Sequence, residues 1–106
     1  MKGVCLQLYL NEFDKYKGIL VYEWILEFAK KNSIHGGCVF KAIAGYGRHG
    51  KLHEEHFFEL ASNTPVKIEF FLLEEKAKEF IDLLKKESLN IFYSISSSEF
   101  SVIEKQ

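Results

Sequence analysis

The chain has few of the features that mark secreted, membrane-spanning or nucleic-acid-binding proteins. Its two cysteines, Cys5 and Cys38, have no CxxC spacing, which argues against a disulfide scaffold and favours reduced, buried thiols. Fourteen basic residues nearly balance fifteen acidic ones, so the chain has no net positive charge that would attract a nucleic acid. No apolar run is long enough for a signal peptide or a membrane span. We therefore expect a cytoplasmic protein that neither binds nucleic acid nor inserts into a membrane.

The composition is that of one small globular domain. The chain has 106 residues, of which 47% are hydrophobic and 15% aromatic, enough to form a core without disulfides or metals. The one proline and three of the four histidines lie between residues 36 and 65. We expect a single domain over residues 1–106, with a long loop at about 47–65.

Periodicity predicts four strands and two helices. Alternating apolar residues indicate strands, and apolar residues at i, i+3, i+4 and i+7 indicate amphipathic helices. Acidic residues at the start and lysines at the end of the second helix suit its dipole. The predicted elements are a strand at 4–10, a helix from Val21 that ends at Asn32 and Ser33, strands at 38–44 and 66–72, a helix at 74–86, a strand at 91–97 and a short terminal strand or tail at 100–103.

This order predicts an α+β fold of the ferredoxin-like type, βαββαβ, with two helices on one face of an antiparallel sheet. If Leu6, Leu8, Phe40, Ile68 and Phe70 face the helices, a second set of side chains faces away. That second face is too apolar to remain in water, which favours a homo-oligomer. A one-residue shift in the register of any strand would exchange its two faces. The set predicted to face away is Tyr9, Val39, Lys41, Ile43, Lys67, Glu69, Phe71 and Phe92.

The connection between the second and third strands is the candidate functional segment. Antiparallel neighbours usually need two to five linking residues, and about nineteen lie here. Residues 45–50 read G-Y-G-R-H-G, which satisfies the dinucleotide pattern G-x-G-x-x-G, but the chain is too short for a doubly wound sheet. Glycines beside a strand end let backbone N–H groups approach an anion, and Arg48 and Lys51 add positive charge. A phosphate-sized anion site and a merely solvated strand end both remain open.

The same segment offers a second hypothesis, a metal site. His49, His53 and His56 have spacings of four and three, and a helical turn would bring their imidazoles to one side. Neither HExxH nor its inverted form is present, and surface histidines are the commoner explanation.

Catalysis has weaker support. The cysteines lie in strand patterns, and no serine lies in a G-x-S-x-G turn. Acid–base chemistry by Glu54 or Glu55 with a neighbouring histidine stays open. We expect a protein that is not an enzyme.

Several stretches together resemble a bacterial and archaeal PII-like family, the domain of unknown function 190. The most specific is the glycine-flanked strand that ends in Gly45, Tyr46 and Gly47. Others are residues 11–18, the run from Gly36 to Ala44, His53 and residues 64–66. The resemblance extends from about residue 4 to residue 103. Lys41 and Ala42 depart from it, since Arg-Gly is usual there, and so does Leu73, where an acidic residue is common.

The resemblance implies a homotrimer in which the long loop corresponds to the effector loop of PII signalling proteins. In PII relatives, small effectors, commonly adenine nucleotides, bind between subunits, and the loop sets affinity for a target protein or transporter. By this resemblance the loop glycines and basic residues line the phosphate side of such a cleft, and Glu12 and Tyr16 approach from the loop after the first strand. The predicted ligand-binding set is Gly45, Tyr46, Gly47, Arg48, Lys51, Glu12, Tyr16 and Lys41.

Overall fold

The computed structural model describes residues 1–45 and 64–105. Four strands form an antiparallel sheet in the order β4-β5-β1-β6, and β2 and β3 form a separate hairpin. The predicted ferredoxin-like order, with a helix after the first and third sheet strands, is confirmed. The elements are β1 (Lys2–Asn11), β2 (Lys15–Tyr16), β3 (Ile19–Leu20), α1 (Val21–Lys31), β4 (Cys38–Lys41), β5 (Pro65–Leu72), α2 (Glu74–Lys85) and β6 (Phe92–Glu99).

The core lies between the central strands and the two helices. Leu8 pairs with Ile68 and Leu6 pairs with Phe70 across β1 and β5, and each of these side chains is at most 1% exposed. Complete burial of one such side chain contributes roughly 1.5–3 kcal/mol. The helices supply the other side of the core through Val21, Ile25, Ala29, Ala77, Phe80, Ile81 and Leu84.

Helix α1 ends where the sequence predicts. Ser33 has a left-handed backbone with φ of 64°, and the N–H of Ile34 donates to the carbonyl of Ala29 at 3.0 Å. Together with the bond from Ser33 N–H to the Lys30 carbonyl at 3.3 Å, this is a Schellman motif. The buried Ile34 side chain then anchors the chain as it leaves the helix.

The small hairpin of β2 and β3 is absent from the prediction. Lys17 and Gly18, the two residues between its strands, both have positive φ, 52° and 86°, as a type I′ turn requires. Gly18 is the sequence signal for this turn, since glycine adopts positive φ readily, whereas Lys17 gives no such signal.

The ends of two strands also differ from the prediction. Strand β4 ends at Lys41, three residues before the predicted end, and Ile43 beyond it is fully exposed. At the other end of the chain, residues 100–105 form a tail. Only the first residue of this tail, Phe100, continues the pairing of β6 with β1. It exchanges two backbone hydrogen bonds of 2.9 and 3.0 Å with Met1.

The predicted faces of β4 are wrong by one residue. Val39 pairs with Ile68, and Phe40 pairs with Lys67. Paired residues of antiparallel strands point to the same side of a sheet, so Val39 faces the helices and Phe40, 47% exposed, faces away. Lys41 pairs with Val66 and is therefore also on the helix side, not on the open side.

Close packing around Gly37 accounts for this register. Continuing the β4–β5 pairing by one residue places Gly37 opposite Phe70. A Cβ atom on Gly37 would lie 2.5 Å from Cε1 and 2.7 Å from Cδ1 of the Phe70 ring, closer than van der Waals contact allows. The buried ring thus occupies the space of a missing side chain, and the next inward position is Val39.

We term the side of the sheet away from the helices the open face. It carries aromatic side chains around a polar centre, in which Gln7 Nε2 donates to Glu69 Oε2 at 2.8 Å and Tyr9 Oη donates to Gln7 Oε1 at 2.9 Å. Lys67 Nζ lies 3.5 Å from Glu69 Oε2. The polar groups at the centre of this face are therefore already paired with one another. Its residues include Cys5, Gln7, Tyr9, Cys38, Phe40, Lys67, Glu69, Phe71, Phe92 and Ser94.

The two cysteines differ in their exposure, so the expectation of two buried thiols is wrong for Cys38. Cys5 is buried, whereas Cys38 is exposed on the edge strand β4. Burial, followed by the adjacent Glu69 carboxylate, raises the pKa of the Cys5 thiol. A reagent that attacks thiolates will therefore find Cys38 more accessible than Cys5.

We predict that Gly37→Ala destabilises the protein by about 1–3 kcal/mol, the usual cost of overpacking a core, measured by denaturant unfolding. Gly45→Ala is the matched control, since a Cβ there meets nothing within 4 Å. The loss of stability should be smaller in a Phe70→Leu background, because the ring that would clash with the new Cβ is absent. Equal losses in both backgrounds would contradict this explanation of the register.

Candidate functional site

Three connections meet at one end of the sheet, which we term the loop end. Asn11 at the end of β1 pairs with Pro65 at the start of β5, and Tyr9 pairs with Phe92 at the start of β6. Strand β4 also ends there, since Lys41 pairs with Val66. The connections after β1, after β4 and before β6 therefore all leave or enter the sheet at the loop end.

Glu12 links two of these connections. Its backbone N–H donates to the carbonyl of Thr64 at 2.8 Å, and its Oε1 lies 3.2 Å from Lys41 Nζ. That Oε1 is shielded from solvent and has no hydrogen bond. The contact with Lys41 is thus an ion pair whose geometry does not meet the angles of a hydrogen bond. It joins the end of β1 to β4 across the start of β5.

Lys41 reaches Glu12 because of the register of β4. Lys41, Val66 and Leu10 lie in one row across the sheet, and Glu12 lies in the turn just after β1, where its carboxylate contacts Lys41. Had Lys41 projected from the open face, as the sequence predicted, the sheet would separate its ammonium group from this carboxylate. The ammonium end of the pair remains accessible, with 60% of the Lys41 side chain exposed against 21% for Glu12.

Backbone hydrogen bonds hold both ends of the long connection close to this pair. The N–H of Ala42 donates to the carbonyl of Pro65 at 2.9 Å, one residue beyond the β4–β5 ladder. Thr64 is buried, with 8% exposed. Gly45 has open space around the position of a Cβ, so its backbone is accessible to a ligand.

Tyr16 is engaged with the end of α2. Its hydroxyl donates to Glu87 Oε1 at 2.6 Å, and its ring meets Trp24 edge-on at a centroid distance of 4.9 Å. Lys17 Nζ lies 3.4 Å from the same Glu87 oxygen and 5.3 Å from the Tyr16 ring centroid. These contacts give Tyr16 a structural role, in which it fastens the β2–β3 hairpin to the chain after α2.

The contacts of Glu87 favour its charged form. The hydrogen bond from Tyr16, and secondarily the Lys17 ammonium, hold the pKa of this carboxyl below its ordinary value. A carboxyl whose pKa is lower in the folded than in the unfolded chain stabilises the fold when ionised.

Two members of the predicted ligand-binding set, Glu12 and Lys41, are in contact, and Tyr16 lies in the separate contact with Glu87. Gly45 is at the end of the described part of the β4 connection. The other predicted ligand-binding residues, Tyr46, Gly47, Arg48 and Lys51, and the alternative metal ligands, His49, His53 and His56, lie outside the described residues.

Thr64 and Glu87 are the residues that the sequence reasoning missed. Thr64 immediately precedes the only proline in the chain, a position biased to extended backbone, which marks it as the start of the return into the sheet. Glu87 has no comparable signal, because its partner Tyr16 is 71 residues away.

The described part of the loop end combines an ion pair with exposed backbone. It offers an accessible ammonium group and open backbone at Gly45. In residues 1–45 and 64–105, no group of three or more His, Cys, Asp and Glu side chains is placed to hold a metal ion. No helix in those two ranges is long and apolar enough to cross a membrane.

The fold is that of PII-like proteins. It matches a protein of Thermus thermophilus described as a PII-like signalling protein, with a TM-score of 0.61 and 13% identity, over 92% of this chain and 86% of the other. It also matches CPII of Thiomonas intermedia, a nitrogen regulatory PII-like protein, in two structures. One contains ADP, AMP and acetate (TM-score 0.56, 13% identity, 93% of this chain and 90% of the other). The second contains ADP, AMP and bicarbonate (TM-score 0.54, 13% identity, 96% and 98%).

Sequence comparison identifies the particular family. The model of DUF190, described as "Uncharacterized ACR, COG1993", matches residues 3–93. A UPF0166 protein of Aquifex aeolicus is 35% identical over 85 residues, which are 80% of this chain and 81% of the relative. A UPF0166 protein of Methanocaldococcus jannaschii is 41% identical over 75 residues, 71% and 68% of the two chains. The chain belongs to the DUF190 family, as its residues predicted.

We predict that acid weakens the attachment of the hairpin through Glu87. Its contribution to stability is complete above the ordinary carboxyl pKa of 4.5 and disappears as the pH falls through the lowered value. Thermal unfolding from about pH 7 to about pH 3 should show a smaller acid-induced loss for Glu87→Gln than for the wild type.

Tyr16→Phe should give an intermediate result, since it removes the hydrogen bond and retains the Lys17 contact. Glu79→Gln, on the exposed side of α2, is the charge-matched control and should follow the wild type. An unchanged pH dependence in Glu87→Gln would show that this carboxylate is not the group responsible.

Proposed function

We propose that this protein is a PII-like regulatory sensor that binds a small anionic effector, an adenine nucleotide, in clefts between the subunits of a homotrimer. Occupancy is passed to a target protein or a transporter through the segment at 47–65. On this proposal the chain is a single PII-like domain of the cytoplasm, and it has no catalytic role. Binding then acts by favouring one of two conformations that differ in affinity for the target.

The similarity to CPII carries the nucleotide part of the proposal. CPII contains ADP and AMP, and the match covers nearly all of both chains. Because identity is 13%, the similarity by itself shows only a common fold, and the residues of this chain add support for the phosphate part of the effector. Lys41 and the open backbone at Gly45 supply a cation and peptide N–H groups, which are the usual partners of phosphate.

The proposed ligand-binding residues are Lys41, Gly45, Tyr46, Gly47, Arg48 and Lys51, with Glu12 beside Lys41. Arg48 and Lys51 belong to the set on the basis of sequence, as basic residues that follow glycines after a strand. Tyr16 contributes indirectly, because it fixes the hairpin that follows Glu12 in the chain.

The open face supports self-association. Four aromatic side chains on it, Tyr9, Phe40, Phe71 and Phe92, are 37–49% exposed, and an apolar surface of this kind commonly forms an interface. Its central polar groups are paired with one another, so covering them leaves few polar groups without a partner. We therefore place the subunit contacts on this face.

We expect ADP, AMP, ATP or a cyclic adenine nucleotide to raise the melting temperature. A ligand that binds only the folded protein stabilises it by about 2.7 kcal/mol at a hundred times its Kd. Melts at several concentrations of each nucleotide, with inorganic phosphate as a reference, test this. Flat melts with every nucleotide would contradict the nucleotide proposal.

Substitutions locate the site. Lys41→Ala should weaken binding about tenfold to a hundredfold, the effect of losing a charge-assisted contact. Lys78→Ala, in the exposed part of α2 near the opposite end of the sheet, should bind like the wild type. Gly45→Val should also weaken binding without lowering stability, since its Cβ meets no neighbour.

We expect the wild type to have three times the protomer mass of 12.3 kDa in light scattering. Phe40→Glu should dissociate it by adding a charge to the open face, whereas Ile103→Glu, at a fully exposed tail position, should not. Cys38 lies on the same face, so its reaction with a thiol reagent should be slower in the wild type than in Phe40→Glu. A monomeric wild type, or a trimeric Phe40→Glu variant, would contradict the interface.

A further inference from the structure

The ion pair at the loop end places a negative charge beside the cation of the proposed ligand site. Glu12 Oε1 lies 3.2 Å from Lys41 Nζ, shielded from solvent and without a hydrogen bond. The Lys41 side chain is largely exposed. An anionic ligand therefore approaches Lys41 from the solvent side, while the carboxylate already contacts the same ammonium group from the inner side.

The backbone of Glu12 is held in position independently of the lysine. The N–H of Glu12 donates to the Thr64 carbonyl at 2.8 Å, and the adjoining residues of β1 and β5, Asn11 and Pro65, are paired. The Glu12 backbone, and with it a negative charge within side-chain reach, therefore stays beside the site when Lys41 turns toward a ligand. A phosphate group bound there meets a nearby like charge in a partly shielded setting, where screening by water is reduced.

We propose that Glu12 is an internal competitor that sets the affinity of this site for anions. The proposal rests on the proposed function, since it concerns the same site and the same class of ligand. Without a ligand, the Glu12 carboxylate is the ion-pair partner of the Lys41 ammonium group. When a phosphate binds, Lys41 must exchange this partner for the ligand, and the ligand overcomes repulsion from the carboxylate that remains.

A competitor and a positioning residue predict opposite effects. If Glu12 mainly holds Lys41 in a geometry suited to the ligand, removal of the Glu12 charge weakens ligand binding. If Glu12 competes with the ligand for Lys41, removal of the Glu12 charge strengthens ligand binding. The absence of hydrogen-bond angles between the two groups favours the second, because a contact of this kind directs the ammonium group poorly.

The test is titration calorimetry of the full-length protein with ADP as the probe. Glu12→Gln keeps the size of the side chain and the backbone bond to Thr64, and we expect it to bind ADP about tenfold more tightly, the scale of a single partly screened charge interaction. Glu79→Gln changes the net charge equally at a distant exposed position and should leave affinity unchanged. In a Lys41→Ala background, the part of the gain that comes from competition for Lys41 is absent and only the relief of charge repulsion remains, so Glu12→Gln should give a smaller gain.

Glu12→Asp provides a second variant in case the glutamine variant folds poorly. It retains the charge on a shorter side chain, farther from Lys41, and should give an intermediate affinity. Melting temperatures of all variants establish that they are folded.

The outcomes separate the two proposals. If the wild type binds ADP and Glu12→Gln binds it equally or more weakly, the competitor role is wrong and the proposed function stands. If neither protein binds ADP or any other adenine nucleotide, both are wrong. Tighter binding by Glu12→Gln, with a smaller gain when Lys41 is also replaced, supports both.

Discussion

Antiparallel pairing of β1 with β5 places Leu8 opposite Ile68 on the side of the sheet that both helices cover. These side chains are at most 1% exposed, and most of the remaining core packs around them. Because side chains alternate along a strand, the same pairing sends Gln7 and Glu69 to the open face. A shift of one residue would place charge in the core and aliphatic side chains in water, so the other elements depend on this register.

The position of Lys41 follows from that pairing through a contact at the sheet edge. Phe70 belongs to the buried row of β5, and its ring leaves no room for a Cβ at Gly37. The chain therefore enters β4 with Val39 inward and Phe40 outward. Two residues after Val39, Lys41 has the direction that brings it to Glu12, so core packing decides the electrostatics of the candidate site.

The loop end combines rigid and accessible parts. Tyr16, Lys17 and Glu87 tie the hairpin to the chain after α2, while Lys41 and Gly45 remain open to solvent. Rigid elements that surround accessible charge suit a binding site, because the groups that meet the ligand need little reordering. The proposals for an effector site and for its adjustment by Glu12 both depend on this combination.

Local patterns in the sequence determined most of the fold. Alternating residues identified β1 and β5, helical spacing identified α1 and α2, and the order of elements identified the ferredoxin-like class. Resemblance of several short stretches, above all Gly45-Tyr46-Gly47, identified the family. Lys41 and Glu12 were also selected from sequence as members of a ligand site. These features depend on neighbours within a few residues, or on motifs that a family shares.

The tertiary structure alone decided the faces of β4, the contact between Lys41 and Glu12, the role of Tyr16 and the exposure of Cys38. The four-residue strand β4 is too short for its alternation to define an inward side, and its run of apolar residues fits either assignment. The choice is made by the Phe70 ring, which lies more than thirty residues after Gly37 in the sequence. Contacts of that kind arise from close packing of the whole domain, which local periodicity does not contain.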